Sequence, residues 1–388
     1  MKIDYSQHWD RIKFWKKVVE ERSNFLGSSP PAVFVGSTNY PKVSLGILAP
    51  PMIMKDASIL DAPDVWYKSK AGLSDIVDYR SRMVYSRSHV NDTSDISLNK
   101  LVEAMQELAM SSTPLDVDIK LSRRPQFAFS FDTYSTPIGN PAPIERVKVI
   151  DNATVERSID KAVHDPDLRA VEAIQYLRER APMNQVQKML SVGMLGLKKQ
   201  RKLVPTRWAI TAVDSAMGDE IVDKVKQYHE IDKPMIFRNE YLFNTFQVLL
   251  LPRSYQYELI EIDITESTEH PTMTQDFEPY GGRTSYASET AGGFYAARYS
   301  VLKALDAMHR QASVIVVREI HPEYSFPVGV WAVRSNVAGA MNSVPETLED
   351  EKSAFQSVSS NCVTSTQWMS KSRIYKWMKE QTTLTSLF

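Results

Sequence analysis

The run "REIHPEY", residues 318–324, sets Arg318, Glu319, His321 and Glu323 within six residues. Carboxylates flanking a histidine suit proton transfer or metal binding, and strand alternation would bring Glu319, His321 and Glu323 to one face. Pro322 breaks a strand, and no H-x-H or H-E-x-x-H spacing reinforces the group, so a strand end followed by a turn is the competing reading. Upstream, "ASETAGGFYAAR" joins a polar loop to a helix through Gly292 and Gly293. Amides at a helix start favour anions, and Glu289 and Arg298 would belong to a polar site there. Close helix packing explains the two glycines equally well, and neither G-x-G-x-x-G nor the Lys-Ser/Thr of a phosphate-binding loop is present. With Asp214 in "TAVDSAMGDE", the catalytic candidates are Asp214, Glu289, Arg298, Glu319 and His321, and a divalent metal is the cofactor such chemistry would use. The seven histidines otherwise form no ligand cluster, and Cys362 in "SSNCVTST" has no neighbouring base or cation to activate it.

A second chemistry is phosphate binding. "KKQRKLVPTRW" carries Lys198, Lys199, Arg201, Lys202 and Arg207 beside Trp208. Cations there would neutralise phosphates while Trp208 stacks on an unpaired base; the alternative is a solvated helix end with Trp208 in the core. In "VDYRSRMVYSR", Arg80 and Arg82 would share one face of a strand, with Arg87 close by; salt bridges to nearby acids are the alternative.

The third is a binding peptide. The last residues, "QTTLTSLF", place Gln381, Leu384, Leu387 and Phe388 in the spacing Q-x-x-h-x-x-a-a. A tight helical turn of about three residues would gather the apolar side chains into a plug, with the Gln381 amide at the pocket edge. This resembles the peptide by which replication and repair proteins dock on the sliding clamp PCNA, with Leu387 in place of the usual first aromatic. The alternative is a hydrophobic end packed on its own domain.

The elements that must position these residues alternate between strand and helix. Residues 7–24 read as an amphipathic helix through Trp9, Ile12, Trp15 and Val19. Short apolar runs at Ala32–Val35 and Val43–Leu48 suit strands, and "PLDVDIKLS" and "PQFAFSFD" alternate as half-buried strands do. Residues 151–200 turn helical, and "KPMIFRNEYLFNTFQVLLLPRSYQYELIEIDI" reads as two or three strands. Residues 265–290 are polar with Pro and Gly, a candidate domain junction, followed by helix, strand, strand and helix. The fold class predicted is mixed α/β (α+β), with an amino-terminal domain of strands and helices and a smaller α+β carboxy-terminal domain.

Bulk properties set the frame. The 388 residues suffice for two or three domains, and 43% apolar with 24% charged residues is an ordinary globular balance. The net charge of -1 gives no global basic field, so nucleic-acid binding would need a local patch. A single cysteine excludes an internal disulfide and a cysteine-rich zinc site, and the amino terminus has no export signal, so a cytoplasmic setting is expected. No stretch is apolar enough for a membrane span.

Taken together, "SPPAVFVGSTNYPKV", "KLVPTRW", "GGFYAAR" and "PVGVWAVR" resemble the signatures of the Nre family of archaeal DNA repair proteins. The resemblance covers about residues 28–342 and the tail. It implies a repair factor recruited by PCNA, with DNA as a further partner and no membrane. The organisation expected is an Nre amino-terminal-like domain over 1–265, an Nre carboxy-terminal-like domain over 266–350, a polar linker and terminal helix over 351–380, and a clamp-binding tail over 381–388. Many members begin with a cysteine-rich segment that this chain lacks, so no zinc finger is expected. The resemblance supplies no reaction. A clamp-tethered factor that binds damaged or structured DNA and a metal-dependent nuclease recruited in the same way both remain open.

Overall fold

The computed structural model describes residues 9–94 and 99–380. They form two compact units: one runs to Met217 and also holds Phe326–Gly329, the other comprises Gly218–Ser325 and the chain from Val330 on.

In the first unit, helix α1 (Trp9–Glu20) precedes strands β1 (Asn24–Ser29), β2 (Ala32–Val35) and β3 (Val43–Ala49). Helices α2 (Pro63–Lys68) and α3 (Leu73–Ser81) lead to β4 (Val84–Val90), and α4 (Lys100–Met110) leads to β5 (Leu115–Leu121). A short ribbon of β6 (Phe129–Ser130) and β7 (Ile138–Gly139) precedes β8 (Pro141–Val149). Helices α5 (Arg157–His164), α6 (Ala170–Leu177) and α7 (Met183–Ser191) follow, and α8 (Thr206–Val225) begins here. The sheet order is β1-β5-β8-β4-β3-β2, with β4 and β8 parallel and the other pairs antiparallel.

Local sequence explains these elements. In β5, Leu115, Val117, Ile119 and Leu121 are buried while Asp116, Asp118 and Lys120 are half-buried, the period-two signature of one covered face. Helix α4 starts where the Asn99 side chain accepts from the Leu101 amide (3.0 Å), and it buries Leu101, Met105 and Leu108 along one stripe. The segment holding Arg80 and Arg82 is a helix, which corrects the strand expected there. Leu73, Ile76, Val77 and Arg80 recur at helical steps on the buried side of α3, and Arg82 lies just past its end. The two arginines therefore share no strand face.

The second unit is a sheet between helices. Its strands are β9 (Met235–Tyr241), β10 (Asn244–Leu251), β11 (Gln256–Asp263), β12 (Thr272–Glu278), β13 (Ser313–Ile320) and β14 (Glu346–Thr347). They lie in the order β12-β11-β13-β10-β9-β14, with β11 and β13 parallel. Helices α9 (Ala291–Met308) and α10 (Trp331–Met341) complete one side; α11 (Glu351–Ser360) and α12 (Arg373–Glu380) cover the other. Alternation along β11 divides the faces. Tyr257 turns its ring to Phe294 of α9, 4.9 Å away, while Ile260 and Ile262 join Phe355, Val358, Trp368 and Ile374 in a core beneath α11 and α12.

The run over 351–360 is polar enough in sequence to read as a linker, yet it is helix α11. Asp350 caps it by accepting from the Ser353 amide (2.7 Å), and Ala354, Phe355 and Val358 are buried at helical spacing. The mixed α/β class expected from sequence is present in both units. Among the described residues no helix is long and apolar enough to cross a membrane.

Candidate nucleic-acid interface

A cleft of about 740 Å³ opens on the first unit's sheet. Its floor follows from strand alternation: Tyr85, Arg87 and His89 occupy every second position of β4 and face the same side as Phe34 of β2 and Ser44 of β3. The intervening Val84 and Ser86 are buried on the opposite side. Gly46 sits at the centre of this face. A Cβ there would come within 2.2 Å of the Ser86 carbonyl oxygen and 2.9 Å of the Tyr85 ring, so only glycine lets that ring lie across the sheet. Phe129 forms part of the opposite wall and rests against Gly139 in the same way, 2.7 Å from where a Cβ would be. The Tyr85 hydroxyl is 3.3 Å from Ser44 Oγ. Burial pushes its pKa up to about 12 despite that hydrogen bond and the nearby Arg87, so it remains a neutral phenol.

The loop from Gly36 to Lys42 forms the rim. Asn39 adopts a left-handed conformation (φ 65°) and accepts from the Lys42 amide at 2.9 Å, a tight turn that sets Tyr40 and Lys42 outward. Helix α8 locks onto the same edge. β2 is the outermost strand, and the Val35 N–H donates to Thr206 Oγ1 at 2.9 Å; that hydroxyl also lies 3.1 Å from Ser191 Oγ. Two residues further on, the Trp208 ring stands 4.9 Å from the Tyr40 ring, and both are exposed, at 46% and 38%. The neighbouring Arg207 guanidinium lies 4.1 Å from the centre of the Tyr134 ring. Two motifs about 170 residues apart, "VFVGSTNYPKV" and "PTRW", thus build one surface.

Its charge is unbalanced. Among the described residues Lys42, Arg87 and Arg207 form no ion pair, and Asp132, whose carboxylate accepts from the Tyr134 amide (2.7 Å), is the opposing charge in the cleft. A guanidinium laid on a ring keeps its charge and directs its N–H groups outward, which suits it to phosphate. The combination can hold anions beside flat apolar faces. Phe34, Tyr40, Lys42, Tyr85, His89, Phe129 and Tyr134 were not legible as site residues one by one. The alternation in "VYSRSHV" was the available signal for Tyr85, Arg87 and His89.

The other phosphate-binding candidates are distributed differently. Lys198 and Lys199 are exposed on a short 3-10 turn, Lys198–Gln200, beside a second cleft of about 800 Å³ that also presents Glu103, Glu107 and His164. Lys202 is exposed. Arg201 clasps the backbone: it donates to the carbonyls of Gly196 (2.8 Å), Val163 (2.8 Å) and Asp165 (2.9 Å). Arg80 is buried, donating to Pro137 O (2.6 Å) and pairing with Asp61 (2.7 Å), which also meets Lys188 (2.8 Å). Burial opposes ionisation of Asp61, but Lys188 and Arg80 together outweigh it and hold its carboxyl below the ordinary range. Arg82 pairs with Asp78 (2.5 Å) and lies over the Trp15 ring.

The catalytic candidates each hold a structural place. Asp214 is fully buried on α8. Glu289 accepts from the Gln275 amide (3.0 Å). Arg298 is buried between Glu278 (2.5 and 2.9 Å) and Asp219 (2.9 Å). Glu319 accepts from the amides of Val363 (3.0 Å) and Thr364 (2.9 Å) and from the Thr364 hydroxyl (2.6 Å), pinning the turn after α11. β13 ends at Ile320, so strand alternation does not carry His321 or Glu323 to the side of Glu319; His321 Nε2 lies 3.5 Å from Thr245 Oγ1. Among the described residues no group of three or more His, Cys, Asp or Glu is placed to hold a metal ion. The tail candidates Gln381, Leu384, Leu387 and Phe388 lie outside the described residues.

Fold and site define a class: a protein of two α/β units, the first bearing a cleft of aromatic rings and unpaired cations, the second knit by buried ion pairs. Comparison with known proteins gives its kinship. The family model "Archaeal Nre, N-terminal" matches residues 5–268 and "Archaeal Nre, C-terminal" matches 278–387, so the chain belongs to the archaeal Nre family. It is 37% identical over 321 residues to DNA repair protein NreB of Archaeoglobus fulgidus, covering 81% of this chain and 80% of that one. It is 35% identical over 388 residues to DNA repair protein NreA of the same organism, covering 98% and 94%. To DNA repair protein NreA of Haloferax volcanii it is 34% identical, covering 82% and 78%. No solved structure matches the chain.

Proposed function

We propose that this chain is a DNA repair factor that contacts damaged or structured DNA through the first unit's cleft and is brought there by its last eight residues docking on the sliding clamp PCNA. The relatives named as DNA repair proteins support the repair role. The observation that carries DNA contact is the joining of two distant signatures at one surface, where Tyr40 meets Trp208 at 4.9 Å, with the unpaired Lys42 and Arg87 in the cleft and the unpaired Arg207 next to Trp208 in sequence. Such a patch supplies the local positive field that a net charge of -1 denies the whole molecule. Tethering by a clamp raises the local concentration of DNA, so modest contacts suffice.

The spacing of Gln381, Leu384, Leu387 and Phe388 supports the clamp reading. The test is a titration of the full chain, and of a chain lacking Gln381–Phe388, against PCNA and against labelled forked DNA at two salt concentrations. Truncation abolishes clamp binding, leaves DNA binding intact and leaves the thermal midpoint unchanged. A large fall in the midpoint on truncation would show that the tail packs on its own domain. DNA binding indifferent to salt would remove the cleft from the account.

A further inference from the structure

We propose that the first unit's cleft takes an unpaired nucleotide from a single DNA strand, with the Tyr40–Trp208 pair stacking on the adjoining base. This rests on the reading of the cleft as the DNA contact and specifies what form of DNA it accepts.

Three features lead there. The first is what the rings offer. Phe34, Tyr85 and Phe129 line the cleft, and Tyr40 and Trp208 are exposed at its edge on the turn and helix that the Val35–Thr206 hydrogen bond holds together. In a duplex each base face is covered by its neighbours, so aromatic faces find partners only on bases released from the stack. Cations alone would serve a duplex; cations with exposed rings serve a single strand.

The second is size. A space of about 740 Å³ falls within the roughly 300–1,000 Å³ of pockets that enclose one small ligand. A nucleotide fits, whereas a double helix does not enter.

The third is the distribution of polar groups. Arg87 and His89 stand on the floor with the Tyr85 hydroxyl and Ser44 Oγ, while Lys42 stands on the turn and Arg207 follows Thr206. A strand crossing the turn would bring its phosphates to Lys42 and Arg207, and a base directed inward would meet neutral hydrogen-bonding groups at Tyr85 and Ser44. The Asp132 carboxylate, which lines the cleft, repels phosphate and would accept from a base amino group, which favours the base-inward orientation.

The experiment is fluorescence anisotropy of the full chain with a labelled 20-nucleotide single strand and with the matching duplex. Wild type, Tyr40→Ala, Trp208→Ala and the Lys42→Ala/Arg87→Ala double variant are compared, with thermal midpoints measured for each. Stacking one base is worth roughly 5- to 150-fold in affinity, so the single strand binds at least about fivefold more tightly than the duplex. Tyr40→Ala and Trp208→Ala each weaken single-strand binding by about tenfold and leave duplex binding unchanged, whereas the double variant weakens both and flattens the salt dependence. Trp208→Phe, which keeps a ring, retains most of the single-strand affinity. Duplex binding as tight as single-strand binding, or single-strand binding indifferent to Tyr40 and Trp208, overturns this inference while leaving the cleft as the DNA contact. Failure of both DNAs to bind the wild-type chain overturns the cleft reading itself.

Discussion

The arginines of the second unit's sheet and the cations at the first unit's cleft are used in opposite ways. In the second unit Arg298, Arg318, Arg253 and Arg238 each meet a carboxylate at 2.5–2.9 Å, and Arg298 and Arg318 are almost wholly buried. A buried guanidinium without its partner would carry the full desolvation penalty, so these arginines are committed to the fold. In the first unit's cleft Arg87 lies near the Tyr85 ring and Lys42 is open to solvent, while Arg207, next to the rim residue Trp208 in sequence, lies on the Tyr134 ring. A ring contact positions a cation without neutralising it. A count of arginines therefore says little about anion binding; what matters is whether the fold has already supplied the counter-charge.

The contrast breaks most visibly at Glu278. Glu278→Ala leaves Arg298 buried without its main partner and lowers stability by about 3–5 kcal/mol in denaturant titration, with no direct effect on DNA contacts. Next is Thr206→Val, which leaves the Val35 N–H unpaired at the strand edge. A loss of about 1–3 kcal/mol is expected, and Trp208 emission shifts as its helix loosens from the Tyr40 turn.

A smaller effect comes from pH. Glu258 of β11 is buried and accepts from the amides of Arg373 (2.9 Å) and Ile374 (3.4 Å), from Gln275 Nε2 (3.2 Å) and from Ser372 Oγ, so it caps helix α12. Burial pushes its pKa up to about 7 against those hydrogen bonds, from about 4.5 in the unfolded chain. The raised value means that its contribution is fully present below pH 4.5 and is lost as pH climbs through 7. Moving from pH 6 to pH 8 therefore costs about 1 kcal/mol, and Glu258→Gln flattens this profile in unfolding curves at the two pH values. Smallest in stability is Lys42→Ala, within about 0.5 kcal/mol of wild type by thermal melting. The same variant lowers the salt slope of DNA binding by about one, which sharpens the division between cations that build and cations that bind.

Legibility followed the range of the interactions involved. Strand β5 declared itself by the alternation in "PLDVDIKLS", because that signal lies within a dozen residues. Helix α3 escaped, since Arg80 at a buried helical position looks like a solvent-facing charge until Asp61 is seen opposite it. Glu319 and His321 look like a reactive pair by type and spacing, but Glu319 spends its oxygens on Val363 and Thr364, more than 40 residues away.

By itself, the sequence determined the α/β class, the family signatures and the apolar spacing of the last eight residues, because period, caps and motifs are local properties of a chain. Only the tertiary structure decided which charges are already answered and which rings stand open. Arg298 and Arg87 are the same residue type, and what separates them is Glu278 beside the one and a Tyr85 ring, seated on Gly46, beside the other. Glu278 on β12 meets Arg298 on α9, and Gly46 on β3 comes under Tyr85 on β4, only when the strands and helices pack, and burial then sets whether a charge must be matched from within or remains available to a ligand.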